Sequence, residues 1–170
     1  KIGQDIFYNY LIKFGFNEPT GIALPGEVRG KINNLKQGKD IDFATASFGQ
    51  GVSVTPIELI SAISVIANDG VLMKPIISAS EKSQVVRRVI SSETSKKVAQ
   101  MMVSAVDKNK IAAISNYSIA GKTGTAFVPD FGKNGYTDEV INTYTGFAPA
   151  FDSKFVILIK LDKPKGSPLA

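Results

Sequence analysis

Residues 119–127 read Ile119-Ala120-Gly121-Lys122-Thr123-Gly124-Thr125-Ala126-Phe127. The run predicts a β-strand, with a Gly-Lys-Thr-Gly-Thr string at its centre. Two kinds of chemistry use such a string. A phosphate-binding loop follows the pattern G-x-x-x-x-G-K-[ST] and must run into a helix whose N-terminus faces the phosphate. Its first glycine would stand at position 116, which holds Asn116, and the residues after the string include Pro129 and Gly132, which oppose a helix. Both tests fail. The other chemistry is recognition of a carboxylate and an acyl group along a strand edge. A lysine ammonium supplies positive potential for an anion, and threonine hydroxyls can hydrogen-bond it. Glycine lets the strand lie against a ligand's backbone, and a strand N–H can donate to the oxyanion of an acyl-transfer intermediate. By itself the string also suits an ordinary exposed strand.

Downstream, Asn134-Gly135 is a turn signal, and Val140 to Phe147 is rich in Thr, Tyr and Val. Phe155 to Leu161 is a continuous apolar run, as in a central strand. Short connections predict three antiparallel strands from residue 119 onward. Upstream the chain is helical. Ile6, Phe7, Tyr10, Leu11 and Phe14 mark an amphipathic helix over 4–14 that stops at Gly15. Residues 15–42 predict an ordered loop anchored by Phe16, Ile22, Leu24 and Val28. Thr55-Pro56-Ile57-Glu58 combines a threonine cap, proline at the first helical position and glutamate three residues after the cap. The helix it opens is apolar on most sides, predicts burial on more than one face, and ends at Asn68-Asp69-Gly70. Pro75–Ser80 and Gln84–Ile90 are extended runs. Ser91 or Ser92 caps a third helix, to about Asp107, with Val98, Met101, Met102, Ala105 and Val106 as its core stripe. The predicted class is α+β, an antiparallel sheet flanked by helices.

Composition bounds the function. The chain has 170 residues, no cysteine and no histidine, which excludes disulfides, thiolate or histidine metal sites and any histidine-based triad. No metal or other cofactor is expected. The net charge of +5 is scattered, Arg87-Arg88 and Lys96-Lys97 being short pairs, so a solvated basic surface is expected and not a nucleic-acid site. No apolar run approaches the length of a membrane span, so no membrane contact by this segment is expected.

Several segments together resemble class B penicillin-binding proteins. Phe14-Gly15-Phe16 followed by Thr20-Gly21-Ile22-Ala23-Leu24-Pro25-Gly26-Glu27 is similar to that family's FGFG…TGIDLPGE segment. Ser47-Phe48-Gly49-Gln50-Gly51 with Val54-Thr55-Pro56-Ile57-Glu58-Leu59 is similar to its GQG…VTPIQL segment, and Ala67-Asn68-Asp69-Gly70 to its AN-x-G. Gly121–Thr125 is its lysine-threonine-glycine motif. Gly146-Phe147-Ala148-Pro149-Ala150 and Lys163-Pro164-Lys165-Gly166 resemble the segments that follow.

The resemblance implies a partial penicillin-binding transpeptidase fold, related to the serine β-lactamases. It implies a parent enzyme that cross-links peptidoglycan stem peptides, is acylated by β-lactams, and works outside the bacterial cytoplasmic membrane on an N-terminal anchor. Lys122, Thr123, Gly124 and Thr125 would bind the carboxylate of a stem peptide or β-lactam, and the Thr125 backbone N–H would form half of the oxyanion hole. Gly49, Gln50 and Gly51 are expected to be a structural turn. No Ser-x-x-Lys and no Ser-x-Asn occurs in the chain: Ser92 is followed three residues on by Ser95, and Ser115-Asn116 is adjacent. Residues 1–170 are therefore expected to be the C-terminal portion of one transpeptidase domain, truncated at both ends. Its partner would be the missing N-terminal half, and it would be inactive alone because no activated nucleophile is present. The other reading is a non-catalytic transpeptidase-like scaffold, which a parent lacking Ser-x-x-Lys would favour.

Overall fold

The computed structural model describes residues 2–110, 112–130, 132–133 and 135–166. The chain divides into two units, Lys1–Ala99 and Gln100–Ala170. The helix α1 (Gln4–Lys13) opens the first. Its terminal carbonyls have no intrahelical partner and need one. The Gly15 and Phe16 N–H groups donate to the Ile12 and Leu11 carbonyls at 3.0 and 3.1 Å, and Arg87 completes the set, donating from Nε to the Lys13 carbonyl at 2.8 Å and from Nη2 to that of Ile12 at 2.9 Å, while Nη2 also pairs with Glu18 at 3.0 Å.

Residues 15–42 are more structured than a loop. They contain a 3-10 helix (Asn33–Gln37) and the start of α2 (Asp40–Ala46). Leu24 and Val28 are exposed and do not anchor the segment; Ile32 and Leu35 are buried and do. A second tie is polar. Lys31 and Ser53 exchange backbone hydrogen bonds of 2.7 and 3.0 Å, and the Gly30 N–H donates to both carboxylate oxygens of Glu58 at 2.9 Å. Gly30 has no room for a side chain, since a Cβ there would stand 2.2 Å from the Ser53 carbonyl oxygen.

The capping box at Thr55 forms. The Glu58 N–H donates to Thr55 Oγ1 at 3.2 Å, and the Thr55 N–H donates to Glu58 Oε2 at 2.7 Å. The helix it opens, α3 (Pro56–Ala67), buries Glu58, Ala62 and Val65. It is not buried all round: Leu59, Ile60 and Ile63 are only half-covered. Then comes an antiparallel hairpin, β1 (Val71–Met73) with β2 (Val85–Arg88). The Pro75–Ser80 run is not a strand, because the pairing segment lies just before it and Pro75 begins the connection. Val65, Leu72 and Val89 form the core, with Phe14 and Ile90 against them.

The helix α4 (Ser92–Asn109) spans the division. Ser91 caps it, its hydroxyl accepting from the Thr94 N–H at 3.1 Å. Ala99, Met102 and Val106 are its buried stripe. Met101 is 69% exposed and lies off that stripe. The second unit is built on β3 (Ala120–Pro129), β4 (Tyr136–Ala148) and β5 (Phe155–Asp162). They form one antiparallel sheet in the order β3-β4-β5. The β3–β4 hairpin closes with the Asp130 N–H donating to the Gly135 carbonyl at 3.0 Å, while Asn134 of the expected turn lies outside the described residues. β5 is an edge and not a central strand among the described residues, and its alternate residues Phe155, Ile157, Ile159 and Leu161 are exposed. No helix among the described residues is long and apolar enough to cross a membrane.

Candidate functional site

The Lys-Thr-Gly-Thr string lies within β3, extended, on an edge strand. The register fixes which side chains share a face. Thr123 pairs with Tyr144 and Thr125 with Asn142, while Lys122 pairs with Thr145 and Gly124 with Thr143. Side chains alternate along a strand. The two threonines therefore stand on one face of the sheet, and Lys122 with Gly124 on the other. What they share is the edge of β3 that faces away from β4, so an anion that meets the ammonium and both hydroxyls must lie along that edge.

Lys122 is exposed. Its ammonium donates to the Thr123 backbone carbonyl at 2.7 Å, which holds it against the strand. Among the described residues no carboxylate forms an ion pair with it. Thr123 and Thr125 are half-buried. The segment ahead of Lys122 leads into a strand and not a helix, which removes the phosphate-loop geometry on structural grounds as well.

Gly124 has a role the sequence does not reveal. A Cβ there would stand 2.6 Å from Thr143 Oγ1, and that hydroxyl donates to the Gly124 carbonyl at 3.4 Å. The glycine thus also makes room for the Thr143 hydroxyl on β4. Gly121 is similar: a Cβ would meet Tyr144 Oη at 2.1 Å. Asn142 Oδ1 and Tyr144 Oη are buried without hydrogen-bond partners among the described residues. Burial also pushes the Tyr144 phenol above its ordinary pKa, so it stays neutral well past physiological pH. On this face an apolar groove of about 540 Å³ runs from Thr123 and Tyr144 across to Ile157, Ile159 and Leu161. Reasoning from sequence missed Tyr144, Asn142 and Thr143. Their signal is the strand register, which exists only once the hairpin has paired.

Gly49, Gln50 and Gly51 belong to the first unit and shape a turn. Both glycines have positive φ, +86° and +70°. The Gln50 N–H donates to the Thr45 carbonyl at 3.0 Å, and Asn34 Nδ2 to that of Gly51 at the same distance. This is the structural turn expected ahead of α3.

Residues 1–170 match the model of the penicillin binding protein transpeptidase domain. The chain is 35% identical to Stage V sporulation protein D of Bacillus subtilis over 98% of its length. It is 34% identical to penicillin-binding protein PbpB of Mycolicibacterium smegmatis over 99%. It spans 28% and 30% of those two relatives. Among solved structures, penicillin binding protein 3 of Mycobacterium tuberculosis complexed with ampicillin aligns with a TM-score of 0.85 and 32% identity, covering 96% of this chain and 40% of that one. With the motif strand, its edge position and a family match along the whole length, the chain belongs to the transpeptidase domain family of the penicillin-binding proteins.

Proposed function

We propose that residues 1–170 are the C-terminal portion of a peptidoglycan D,D-transpeptidase domain and supply its substrate-binding strand. In this reading an incoming stem peptide or β-lactam lies along the edge of β3 that faces away from β4. The Lys122 ammonium draws its carboxylate, and the Thr123 and Thr125 hydroxyls hydrogen-bond it. The Thr125 backbone N–H serves as one donor to the oxyanion of the acyl-transfer step. The observation that carries the reading is an exposed lysine that has, among the described residues, no acidic partner and lies on an extended strand at the sheet's edge, in a chain with this family match. Similarity to relatives called peptidoglycan D,D-transpeptidase, and to structures holding ampicillin or aztreonam, supports the ligand class.

The nucleophile and its base come from elsewhere in the polypeptide, because no Ser-x-x-Lys stands in these residues. The domain then works outside the cytoplasmic membrane, where peptidoglycan is cross-linked. The test is fluorescent penicillin labelling. The complete polypeptide is expected to label and residues 1–170 alone are not. Lys122→Ala in the complete polypeptide is expected to lower the labelling rate constant by about 100-fold, in line with losing one charged contact that acts in the transition state. Labelling unaffected by Lys122→Ala overturns the role assigned to this strand. A complete polypeptide without Ser-x-x-Lys, and without labelling, establishes the scaffold reading instead.

A further inference from the structure

Gly121 and Gly146 are direct cross-strand partners on β3 and β4. Two facing glycines leave a slot in the sheet, and the Tyr144 ring fills it. Its Oη and Cζ stand 2.1 and 2.7 Å from where a Gly121 Cβ would be, and its Cε1 stands 3.1 Å from a Gly146 Cβ. Val106 of α4 closes the slot from the helix side, with its Cγ2 3.1 Å from the same Gly121 position. Beside it a cavity of about 50 Å³ is bounded by Asn109, Lys122 and Thr123 as well as Tyr144. Tyr144 is also the direct partner of Thr123. One side chain thus meets the strand immediately before Lys122 and again at Thr123. Among the described residues its hydroxyl has no hydrogen-bond partner, and the contacts that hold the ring are those of shape.

We propose that Tyr144 is a positioning residue for the Lys122–Thr125 strand, its ring in the Gly121–Gly146 slot setting where the Lys122 ammonium and the Thr123 hydroxyl are presented to a carboxylate. This rests on the reading of β3 as the carboxylate-binding strand. Interdigitated sheets with side chains packed to crystal density transmit such a displacement to their neighbours. Aromatic side chains laid over cross-strand glycines pin a sheet's local geometry in the same way. The position therefore matters to binding geometry more than to the chemical step.

The experiment separates the two in the complete transpeptidase polypeptide. Stopped-flow acylation by a fluorescent penicillin yields a pre-acylation dissociation constant and an acylation rate constant. Tyr144→Phe keeps the ring and is expected to leave the dissociation constant within about twofold. Tyr144→Leu empties part of the slot and is expected to raise it about tenfold with the rate constant within about twofold, since small misplacements of a binding group cost large factors. Gly121→Ala attacks the slot from the other strand and is expected to raise the dissociation constant likewise. Melting temperatures show whether each variant is folded. An unchanged dissociation constant in folded Tyr144→Leu and Gly121→Ala overturns the proposal, as does a Phe variant that falls as far as the Leu variant. Lys122→Ala in the same assay keeps the two readings apart. If it weakens binding while the Tyr144 variants do not, only the positioning role fails; if it leaves binding intact, the strand's own role fails.

Discussion

At the residue scale, glycines in this chain are set by what lies beside them, and the neighbour's stiffness decides the cost of adding a methyl group. At Gly30 the obstacle is a backbone carbonyl, Ser53 O, at 2.2 Å, with Glu58 Oε2 at 2.8 Å. Neither can leave without breaking the paired bridge or the carboxylate's own bonds to Gly30 and Thr55. At Gly124 the obstacle is the Thr143 hydroxyl at 2.6 Å, which can rotate away. Overpacking costs about 1–3 kcal/mol and more where nothing yields. Gly30→Ala is therefore expected to lose about 3 kcal/mol or more in urea unfolding. Gly124→Ala is expected to lose about 1 kcal/mol, most of it recovered in the Thr143→Ala background. If the recovered double variant, in the complete polypeptide, labels poorly with penicillin, the glycine also serves the ligand. Residue identity at 121–125 was legible from the string. The reason for each glycine was not, because Thr143 and Tyr144 lie some twenty positions away in sequence and meet the strand only through its register.

At the element scale, local chemistry was read well where it is self-contained. The capping box of α3 closes between Thr55 and Glu58 within one helical turn, so sequence suffices. What sequence could not show is that Glu58 also holds Gly30, 28 positions away. α4 makes the same point. Its apolar period allows either methionine into the core stripe, and the fold buries Met102 while leaving Met101 exposed. Met101→Lys is accordingly expected to change stability by less than about 0.5 kcal/mol, and Met102→Lys to cost about 3 kcal/mol or more through an unpaired buried charge. Equal losses in thermal unfolding would count against the helix orientation. The second helix, Asp40–Ala46, is not legible in the sequence, because its 7 residues are too few for a period to stand out from a Gly- and Lys-rich surround. Pro75–Ser80 shows the converse: an extended composition becomes a paired strand only where a partner lies beside it, and here the pairing falls on Val71–Met73.

At the scale of the whole molecule, the three-stranded sheet ends in β5, a strand with one face of exposed Phe155, Ile157, Ile159 and Leu161. Open, apolar edges invite pairing between chains. The isolated 170-residue chain is expected to self-associate at micromolar concentration, and Ile159→Lys to raise its monomer fraction in size-exclusion chromatography at little cost in melting temperature, since Ile159 is 48% exposed. A monomeric unsubstituted chain would show that this edge is not adhesive.

Sequence by itself determined the class, the helix with its capping box, the three antiparallel strands and the family motif, because each depends on periods, caps and turns written within a few neighbouring residues. Tertiary structure alone decided that β3 stands at the end of the β3-β4-β5 order, where Lys122 and the two threonines can meet a ligand along one edge, that Tyr144 occupies the slot between two glycines, and that Ile32 and Leu35, not Leu24 and Val28, tie down the long loop. Those facts depend on which strand and which backbone atoms come to face each other across long stretches of chain. Pairing register and steric neighbours are properties of the folded arrangement, and no local pattern encodes them.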